Sequence, residues 1–361
     1  MKKIIVLGAG MVGSAIAIDL CKNYKITSVD NNLENLGKLN AFPIKTLTKD
    51  LSDPKVVQNI VADFDLVIGA VPGFMGFQTL KAVIEAEKNI VDISFFPENP
   101  FELDTLAKEK KVTAVMDCGV APGMSNLILG YHNQRMEIDN FECYVGGLPF
   151  IRKWPYEYKA PFSPIDVIEE YIRPSRIMEN GEIVIKPALS EPELIDFPRV
   201  GTLESFNTDG LRSLLQTMNI KNMKEKTLRY PGHIEIMRIL RESGFLSSEP
   251  LDIGHQRVKP IELTSKLLFP MWQLSDKEEE FTIMKIVISG NEAGTEKKYT
   301  YHLFDKYDPI SKTSSMARTT GYPCTAVARL MLDDDFKQNG INPPEFVGAD
   351  EKCFAKIIAY L

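Results

Sequence analysis

The chain has 361 residues, of which 44% are hydrophobic and 25% charged, and its formal net charge is -7. This length and composition predict a soluble globular protein with about two domains. The acidic balance, without a dominant basic patch, argues against a nucleic-acid or anionic-membrane partner. No stretch approaches the roughly 18 apolar residues of a membrane span, and the start Met-Lys-Lys lacks the long apolar region of a signal peptide.

The five cysteines and four histidines indicate a reducing compartment and predict no metal site. The cysteines are odd in number, scattered, and form no C-x-x-C pair, which is typical of free thiols in the cytoplasm. The histidines are far apart in the sequence and lack the spacing of zinc ligands. We therefore expect a cytoplasmic protein without a structural metal.

The first thirty residues carry the most specific motif. An apolar strand, 3–7, runs directly into a G-x-G-x-x-G loop and a helix. The first glycine allows a tight turn, the second lets a pyrophosphate approach the backbone, and the third lets the helix pack on the sheet. N–H groups at the helix N-terminus would face the phosphates, and Asp30 follows at the distance typical of a ribose ligand. The predicted cofactor contacts of the loop are Gly8, Gly10, Met11, Val12 and Gly13.

Strands and helices alternate as far as residue 125, which predicts a doubly wound parallel sheet and an α/β fold. Ligands of such sheets bind beyond the carboxyl ends of the strands. The strand within 65–73 ends in small residues that leave room for a ribose and nicotinamide, namely Ala70, Val71 and Pro72. Asp92 and Ser94 end the strand at 89–93, and Asp117 follows the strand at 112–116. Asp50 follows the third strand, either as an adenine ligand or as a simple turn acid.

The pattern after residue 125 indicates a second domain of α+β type. Residues 141–147 alternate apolar and polar side chains, and 281–289 and 297–304 predict two strands joined by a loop, Gly290 to Gly294, rather than by a tight turn. An acidic run, 276–280, precedes them. Helices are expected at 163–172 and 231–244. The predicted domains are an NAD-binding domain, 1–125 with a return segment 319–361, and a substrate and oligomerisation domain, 126–318, on a mostly antiparallel sheet.

Several strings resemble the saccharopine dehydrogenase-like family, and the NAD-dependent lysine 6-dehydrogenases in particular. Beside the glycine loop these are Asp117 to Asn126, Gly-Gly-Leu-Pro at 146–149, Thr-Asp-Gly-Leu-Arg-Ser at 208–213 and Thr-Leu-Arg-Tyr-Pro-Gly-His at 227–233. The resemblance covers almost the whole length. It implies that a C–N bond is oxidised to an imine by hydride transfer and that the imine is hydrolysed. We expect a homodimer acting on a small amino-acid substrate.

This chemistry needs a group that accepts the amine proton and later activates water. His233 is the preferred base because a histidine can change its protonation near neutral pH, and its alternative is a capping or buried structural role. Asp92 and Asp117 are further catalytic candidates, each with a turn or cap acid as the alternative. Cys118 has no histidine nearby in sequence, so it is expected to be a buried thiol.

A substrate carboxylate calls for an arginine, whose fork can bind it bidentately. Arg212 is preferred over Arg229 and Arg173, and its alternative is an ion pair with Asp209. Asp209 would itself suit a cationic ammonium group. Tyr144 would line the pocket or serve in packing.

These residues favour oxidation of the terminal amine of L-lysine, because saccharopine with its three carboxylates would require several converging arginines. Saccharopine and carboxynorspermidine dehydrogenases remain alternatives, as does a non-catalytic NAD-binding sensor. Asp30 would repel a 2′-phosphate, and neither Asn31 nor Asn32 offers it a positive charge. The predicted cofactor is therefore NAD rather than NADP.

Overall fold

The computed structural model describes residues 1–275, 278–311 and 313–361. The chain divides into two compact units, here called unit 1 (Met1–Met136 and Ala317–Leu361) and unit 2 (Glu137–Met316). The first two positions of the predicted acidic run, 276 and 277, lie outside the described residues.

The strands, numbered along the chain, are β1 Lys3–Leu7, β2 Lys25–Asp30, β3 Ile44–Thr48, β4 Leu66–Gly69, β5 Ile90–Asp92, β6 Thr113–Val115, β7 Glu137–Pro149, β8 Ser175–Glu179, β9 Glu182–Lys186, β10 Glu193–Phe197, β11 Gly201–Asn207, β12 Asn222–Arg229, β13 Leu251–Ile253, β14 Gln256–Val258, β15 Glu280–Glu292, β16 Thr295–Lys306 and β17 Gly340–Asn342.

The α-helices are α1 Met11–Leu20, α2 Leu33–Gly37, α3 Pro54–Val61, α4 Gly73–Glu85, α5 Asp104–Glu109, α6 Met124–Asn133, α7 Pro164–Ile172, α8 Leu214–Thr217, α9 His233–Glu242, α10 Pro260–Trp272, α11 Ser315–Leu332, α12 Pro344–Ala349 and α13 Glu351–Tyr360. A single 3₁₀ turn, Pro100–Leu103, precedes α5.

Unit 1 is built on a seven-stranded sheet with the order β17-β6-β5-β4-β1-β2-β3. All of its strand pairs are parallel. The direction of chain progression reverses at β1, which makes the carboxyl ends of β1 and β4 the place where a doubly wound sheet binds ligands. The predicted doubly wound α/β fold is therefore confirmed. The sequence did not predict β17, which adds a strand beside β6.

The local sequence explains why the early elements of unit 1 form. The four residues from Ile4 to Leu7 are completely buried, as expected for a central strand that is covered on both faces. Asn32 caps α2 and Asp53 caps α3, each through a side-chain oxygen that accepts a backbone N–H. Helix α4 begins at Gly73, so its first turn lies directly at the carboxyl end of β4.

Two reciprocal close contacts assign α6 to unit 1. A Cβ atom on Gly130 of α6 would lie 2.1 Å from the carbonyl oxygen of Glu345, and one on Gly348 of α12 would lie 2.1 Å from that of Leu127. The two helices thus pack backbone to backbone. The domain boundaries predicted at residues 125 and 318 accordingly move to 136 and 316.

Unit 2 contains a mixed sheet with the path β10-β11-β12-β7-β15-β16, to which β8 and β9 add on one side of β12. Only the β12–β7 pair is parallel within this sheet as described. The predicted α+β unit with a mostly antiparallel sheet is confirmed. Its core lies between the sheet and helices α7, α9 and α10, with Trp272 and Tyr171 among the fully buried side chains.

The loop predicted between the two long strands of unit 2 was wrong. Glu292 pairs with Thr295, so β15 and β16 are joined by the tight two-residue turn Ala293-Gly294. Both turn residues have positive φ, 51° and 83°, as a type I′ turn requires. Gly290 lies within β15, at a shift in the register of pairing with β7. Its backbone passes so close to Glu137 that a Cβ on Gly290 would be 2.0 Å from the Glu137 carbonyl oxygen.

The described residues contain neither a membrane-spanning helix, nor a group of metal ligands, nor a disulfide bond. None of their helices combines the length and apolarity that crossing a bilayer requires. Groups of three or more potential metal ligands are absent from the same residues. The five cysteines are all free thiols, and Cys118 is completely buried, as the sequence predicted.

The α6–α12 contact generates a stability prediction. Gly130→Val places a branched side chain against the α12 backbone and should lower the free energy of unfolding by about 1–3 kcal/mol. Gly37→Ala is the matched control, because a Cβ there has no neighbour within 4 Å. Urea unfolding curves of both variants check this. Equal midpoints for Gly130→Val and the wild type would contradict the described packing.

Candidate active site

The glycine loop of unit 1 is shaped by close backbone contacts. Gly8 has φ of +107°, and a Cβ on it would lie 2.3 Å from the carbonyl oxygen of Ala70. A Cβ on Gly13 would lie 2.2 Å from the carbonyl oxygen of Gly8. A Cβ on Gly10, in contrast, would meet nothing within 4 Å, so space is open above this residue. The first and third glycines are therefore required by the fold, and the second lies where a phosphate could approach.

The N-termini of α1 and α4 both lie at the carboxyl edge of the parallel sheet. Gly10 and Pro72 are their N-cap residues, and neither helix has a side-chain cap on its first N–H groups. Unsatisfied N–H groups and the positive end of the helix dipole favour an anion at such a terminus. The predicted loop residues Met11 and Val12 form the first turn of α1. These features fit the pyrophosphate of a dinucleotide.

Asp30 lies at the end of β2 and holds the edge of the same cradle. Its Oδ2 accepts the N–H of Ala9 at 2.7 Å, and its Oδ1 accepts that of Asn32 at 2.8 Å. The carboxylate thus ties the glycine loop to the start of α2. The Lys49 N–H donates to the carbonyl oxygen of Asp30 at 3.1 Å, which brings a lysine to this position that the sequence analysis had not considered.

The fully exposed Asp50 forms a turn in which its Oδ1 accepts the Ser52 N–H at 2.9 Å. Hydrogen bonds from the Ser52 backbone and side chain lower the pKa of Asp50. This geometry is that of the turn acid considered from the sequence, and its role as an adenine ligand stays a prediction.

Asp92, Ser94 and Asp117 come together at the carboxyl ends of the adjacent strands β5 and β6. The Ser94 N–H donates to Asp92 Oδ1 at 2.8 Å, and its hydroxyl donates to Asp92 Oδ2 at 3.2 Å. The Cys118 N–H donates to the carbonyl oxygen of Asp92 at 3.0 Å. All four residues are buried. Burial, as the main cause, raises the pKa of the Cys118 thiol, which therefore stays protonated.

The backbone distinguishes the two acids. A Cβ on Gly69 would lie 1.8 Å from Asp92 Oδ2, so this carboxylate occupies space that a side chain on β4 would need. Asp117 has φ of +55°, a left-handed conformation that non-glycine residues seldom adopt. Such strain is frequent at functional sites. Asp92 thus packs against the backbone of β4, and Asp117 has an unusual backbone conformation. The catalytic roles of both acids stay predictions.

The structure argues against His233 as the general base. His233 Nδ1 donates to the carbonyl oxygen of Tyr156 at 2.8 Å, because a carbonyl oxygen can only accept. In the neutral ring Nε2 then accepts from the Tyr171 hydroxyl at 2.9 Å, and that hydroxyl accepts from Arg229 Nε at 3.0 Å. Burial, with Arg229 as a second cause, lowers the pKa of His233 to about 3. His233 is thus a neutral structural residue, which was the alternative considered from the sequence.

Arg229 is likewise committed to the core of unit 2. Its Nη2 donates to Glu170 Oε2 at 2.9 Å and its Nη1 to the carbonyl oxygen of Leu228 at 3.0 Å, in addition to the bond to Tyr171. The Tyr158 ring lies 4.4 Å from the guanidinium carbon. All three guanidinium nitrogens have partners, so Arg229 is a structural cation and the prediction that it binds substrate loses its basis.

The other predicted substrate residues lie in different surroundings. Asp209 accepts a bidentate pair of bonds from Arg176 and does not form the expected pair with Arg212. Arg212 is buried in the loop before α8 and has φ of +45°. The Tyr144 hydroxyl donates to Glu142 Oε2 at 3.2 Å, and burial raises the pKa of Tyr144. Sequence reasoning missed Glu170, Tyr171 and Arg176, which are distant in the chain from the residues they bind.

Two family models match nearly the whole chain. The saccharopine dehydrogenase NADP binding domain matches residues 4–115, and the saccharopine dehydrogenase C-terminal domain matches residues 119–361. The chain belongs to the saccharopine dehydrogenase family. The resemblance inferred from the sequence is confirmed at this level.

Curated relatives of this saccharopine dehydrogenase family member are distant in sequence. The NADP(+), L-glutamate-forming saccharopine dehydrogenase of Pyricularia oryzae is 26% identical over 315 residues, which cover 82% of this chain and 69% of that protein. The mitochondrial alpha-aminoadipic semialdehyde synthase of Mus musculus is 23% identical over 95% of this chain. The chain spans 45% of that synthase.

The fold of the family agrees with the structure described here. Apo saccharopine dehydrogenase (L-Glu forming) of Saccharomyces cerevisiae superposes with a TM-score of 0.79 at 19% identity, covering 99% of this chain and 96% of that one. The relatives support an amino-acid oxidoreductase with a nicotinamide-cofactor domain. The names of these relatives specify neither lysine as the substrate nor NAD as the cofactor.

The buried, neutral state of His233 predicts a pH dependence of stability. A free histidine has a pKa of about 6.5, so below that pH the unfolded chain binds a proton that the folded chain rejects until about pH 3. The wild type should therefore lose up to about 1.4 kcal/mol of stability per pH unit in this window through His233 alone.

His233→Asn, which keeps a donor for the Tyr156 carbonyl, removes this contribution. Urea unfolding between about pH 7.5 and about pH 4.5 should show the stability gap between wild type and variant narrowing as the pH falls. A gap that stays constant would show that His233 takes up a proton in the folded chain as readily as in the unfolded chain.

Proposed function

We propose that this protein oxidises the terminal amine of L-lysine with a nicotinamide cofactor and hydrolyses the imine to an aldehyde and ammonia. Membership of the saccharopine dehydrogenase family supports oxidation at a CH–NH₂ carbon. The observation that carries the choice of substrate is the commitment of Arg229 to Glu170, Tyr171 and Leu228. A motif arginine that would be needed for a second or third substrate carboxylate is thereby used within the core.

Arg212 is our proposed anchor for the α-carboxylate. Arg212 is buried in a family motif and held in a strained backbone conformation. A buried guanidinium recognises one carboxylate bidentately, which fits lysine better than a tricarboxylate.

The proposed chemistry needs few protein groups. The cofactor, when bound, supplies the acceptor for the hydride that leaves the terminal carbon. Asp117 accepts the proton from the substrate nitrogen, so that carbon and nitrogen form an imine. The protonated acid returns this proton to the nitrogen as water adds to the imine carbon. The regenerated carboxylate then takes the hydroxyl proton as the C–N bond breaks, so that the aldehyde forms and ammonia leaves. Asp92 and Ser94 keep the end of β5 in place beside Asp117.

NAD remains our proposed cofactor because Asp30 lies at the ribose position, where a carboxylate repels a 2′-phosphate. Two observations favour the alternative, NADP. The matched family model and the fungal relative are both named for NADP. The backbone of Lys49 lies beside Asp30. Likewise, saccharopine is the alternative substrate because the relatives are named for it.

One experiment tests substrate and cofactor together. The purified protein is incubated with L-lysine, saccharopine or carboxynorspermidine, each with NAD or NADP, and reduced cofactor and ammonia are measured. We expect reduction of NAD with lysine and an equal amount of ammonia. Turnover of saccharopine alone would contradict the lysine proposal, and equal rates with NADP would contradict the role given to Asp30.

Asp117→Asn tests the proposed base and leaves the backbone undisturbed, because asparagine tolerates the left-handed conformation. We expect kcat to fall by about 10²- to 10⁴-fold with little change in cofactor affinity. Asp92→Asn is the matched comparison, since it should lower stability more than kcat. A larger loss of kcat in Asp92→Asn than in Asp117→Asn would assign the proton transfer to Asp92.

A further inference from the structure

The loop that carries Arg212, residues 208–213, is unusually constrained for a connection between a strand and a short helix. This segment, here called the anchor loop, joins β11 to α8. Its members Thr208, Leu211, Arg212 and Ser213 are all buried. A left-handed conformation is strained at a long non-glycine side chain and persists only where the surroundings enforce it.

Strand β12 provides the first set of enforcing contacts. The Thr208 N–H donates to the carbonyl oxygen of Glu225 at 3.1 Å. The Thr227 hydroxyl donates to the Thr208 hydroxyl at 3.2 Å. Gly210 lies directly on the Glu225 carboxyl group, where a Cβ would be 1.6 Å from Oε1. These contacts fix the distance between the middle of the anchor loop and β12.

Strand β8 provides the second set through adjacent residues. The Ser175 hydroxyl donates to the carbonyl oxygen of Thr208 at 2.8 Å. Arg176 donates three bonds to Asp209: Nε to Oδ1 at 2.9 Å, Nη2 to Oδ2 at 2.9 Å, and the backbone N–H to Oδ1 at 3.1 Å. The hydrogen bonds that Arg176 donates to Asp209 raise the pKa of Arg176. Bidentate pairs of this kind fix orientation as well as distance.

This geometry gives Asp209 a different task from the one predicted by the sequence. Both of its carboxylate oxygens are engaged by Arg176, and its side chain is only 9% exposed. An ammonium group that took Asp209 as its ligand would compete with the guanidinium for the same oxygens. Asp209 is better suited to hold the anchor loop than to bind substrate.

We propose that Asp209 and Arg176 are positioning residues, which lock the anchor loop in the conformation that presents Arg212 to the substrate carboxylate. This inference rests on the proposed role of Arg212. It makes β8 a support of the substrate site, although no residue of β8 belongs to a family string in the sequence. Loss of the pair should weaken substrate binding and leave the chemical step largely intact.

Steady-state kinetics with lysine test the proposal. Asp209→Asn and Arg176→Lys should each raise KM by roughly ten- to a hundredfold, with kcat changed much less. The exchange variant, Arg176→Asp together with Asp209→Arg, should recover much of the lost affinity because the pair is reformed in reverse. If Asp209 bound the substrate ammonium directly, the exchange would place a cation there and KM would stay high, which would overturn the proposal.

Hydrogen exchange of the loop amides provides a readout that does not depend on activity. Arg176→Lys should increase exchange in residues 208–213 and leave the amides of β12 unchanged. Lys221→Ala is the matched control, because it removes an exposed ion pair with Asp139 in the same unit and should change neither exchange nor KM. Faster loop exchange with an unchanged KM would also overturn the proposal.

Arg212→Lys separates this inference from the proposed function. If Arg212 binds the carboxylate, KM should rise in this variant while loop exchange stays normal. An unchanged KM would remove the proposed anchor itself, whereas a raised KM in Arg212→Lys with a normal KM in Asp209→Asn would refute only the positioning role.

Discussion

The burial of Arg229 constrains unit 2 more than any other single interaction. A guanidinium stays charged at neutral pH, so the core must supply acceptors for its nitrogens or leave an uncompensated cation at a cost of several kcal/mol. Glu170 and Tyr171 of α7 meet this demand, and the Tyr171 hydroxyl donates a hydrogen bond to His233 at the start of α9. One cation thereby joins α7, β12 and α9. Because each member depends on the next, the set is unavailable for acid–base chemistry near neutral pH.

Unit 1 differs from unit 2 because its candidate functional groups lie at the carboxyl edge of the sheet rather than in the core. Close contacts among Gly8, Gly13 and Ala70 hold α1 against the sheet. The N-terminus of α1 begins at Gly10, where a Cβ would have no neighbour within 4 Å. Asp92 and Asp117 end neighbouring strands at the same edge. Unit 1 therefore carries the residues proposed for the cofactor cradle and for proton transfer at one edge of its own sheet.

Sequence reasoning succeeded where the signal was local and failed where it depended on distant partners. Apolar runs, the glycine loop and the cap residues predicted unit 1, because each of these signals lies within a few positions of the element it specifies. The tight turn at Ala293-Gly294 was missed because alanine seldom adopts the positive φ of a type I′ turn. In the site, the family string at 227–233 identified residue types but could not show that Glu170, 59 positions earlier, neutralises Arg229.

Backbone strain gives an independent reason to separate the two kinds of site residue. His233 and Arg229 lie in ordinary helical and strand conformations, and their surroundings satisfy every polar atom, as expected for residues selected for stability. Asp117 and Arg212 are buried in left-handed conformations. An aspartate tolerates this conformation, whereas arginine gains nothing local from it. The strain at Arg212 must be offset by the contacts of β8 and β12 with the loop around it. Glycine or asparagine would adopt this conformation with less strain, so the arginine at this position supports the role that we propose for its side chain.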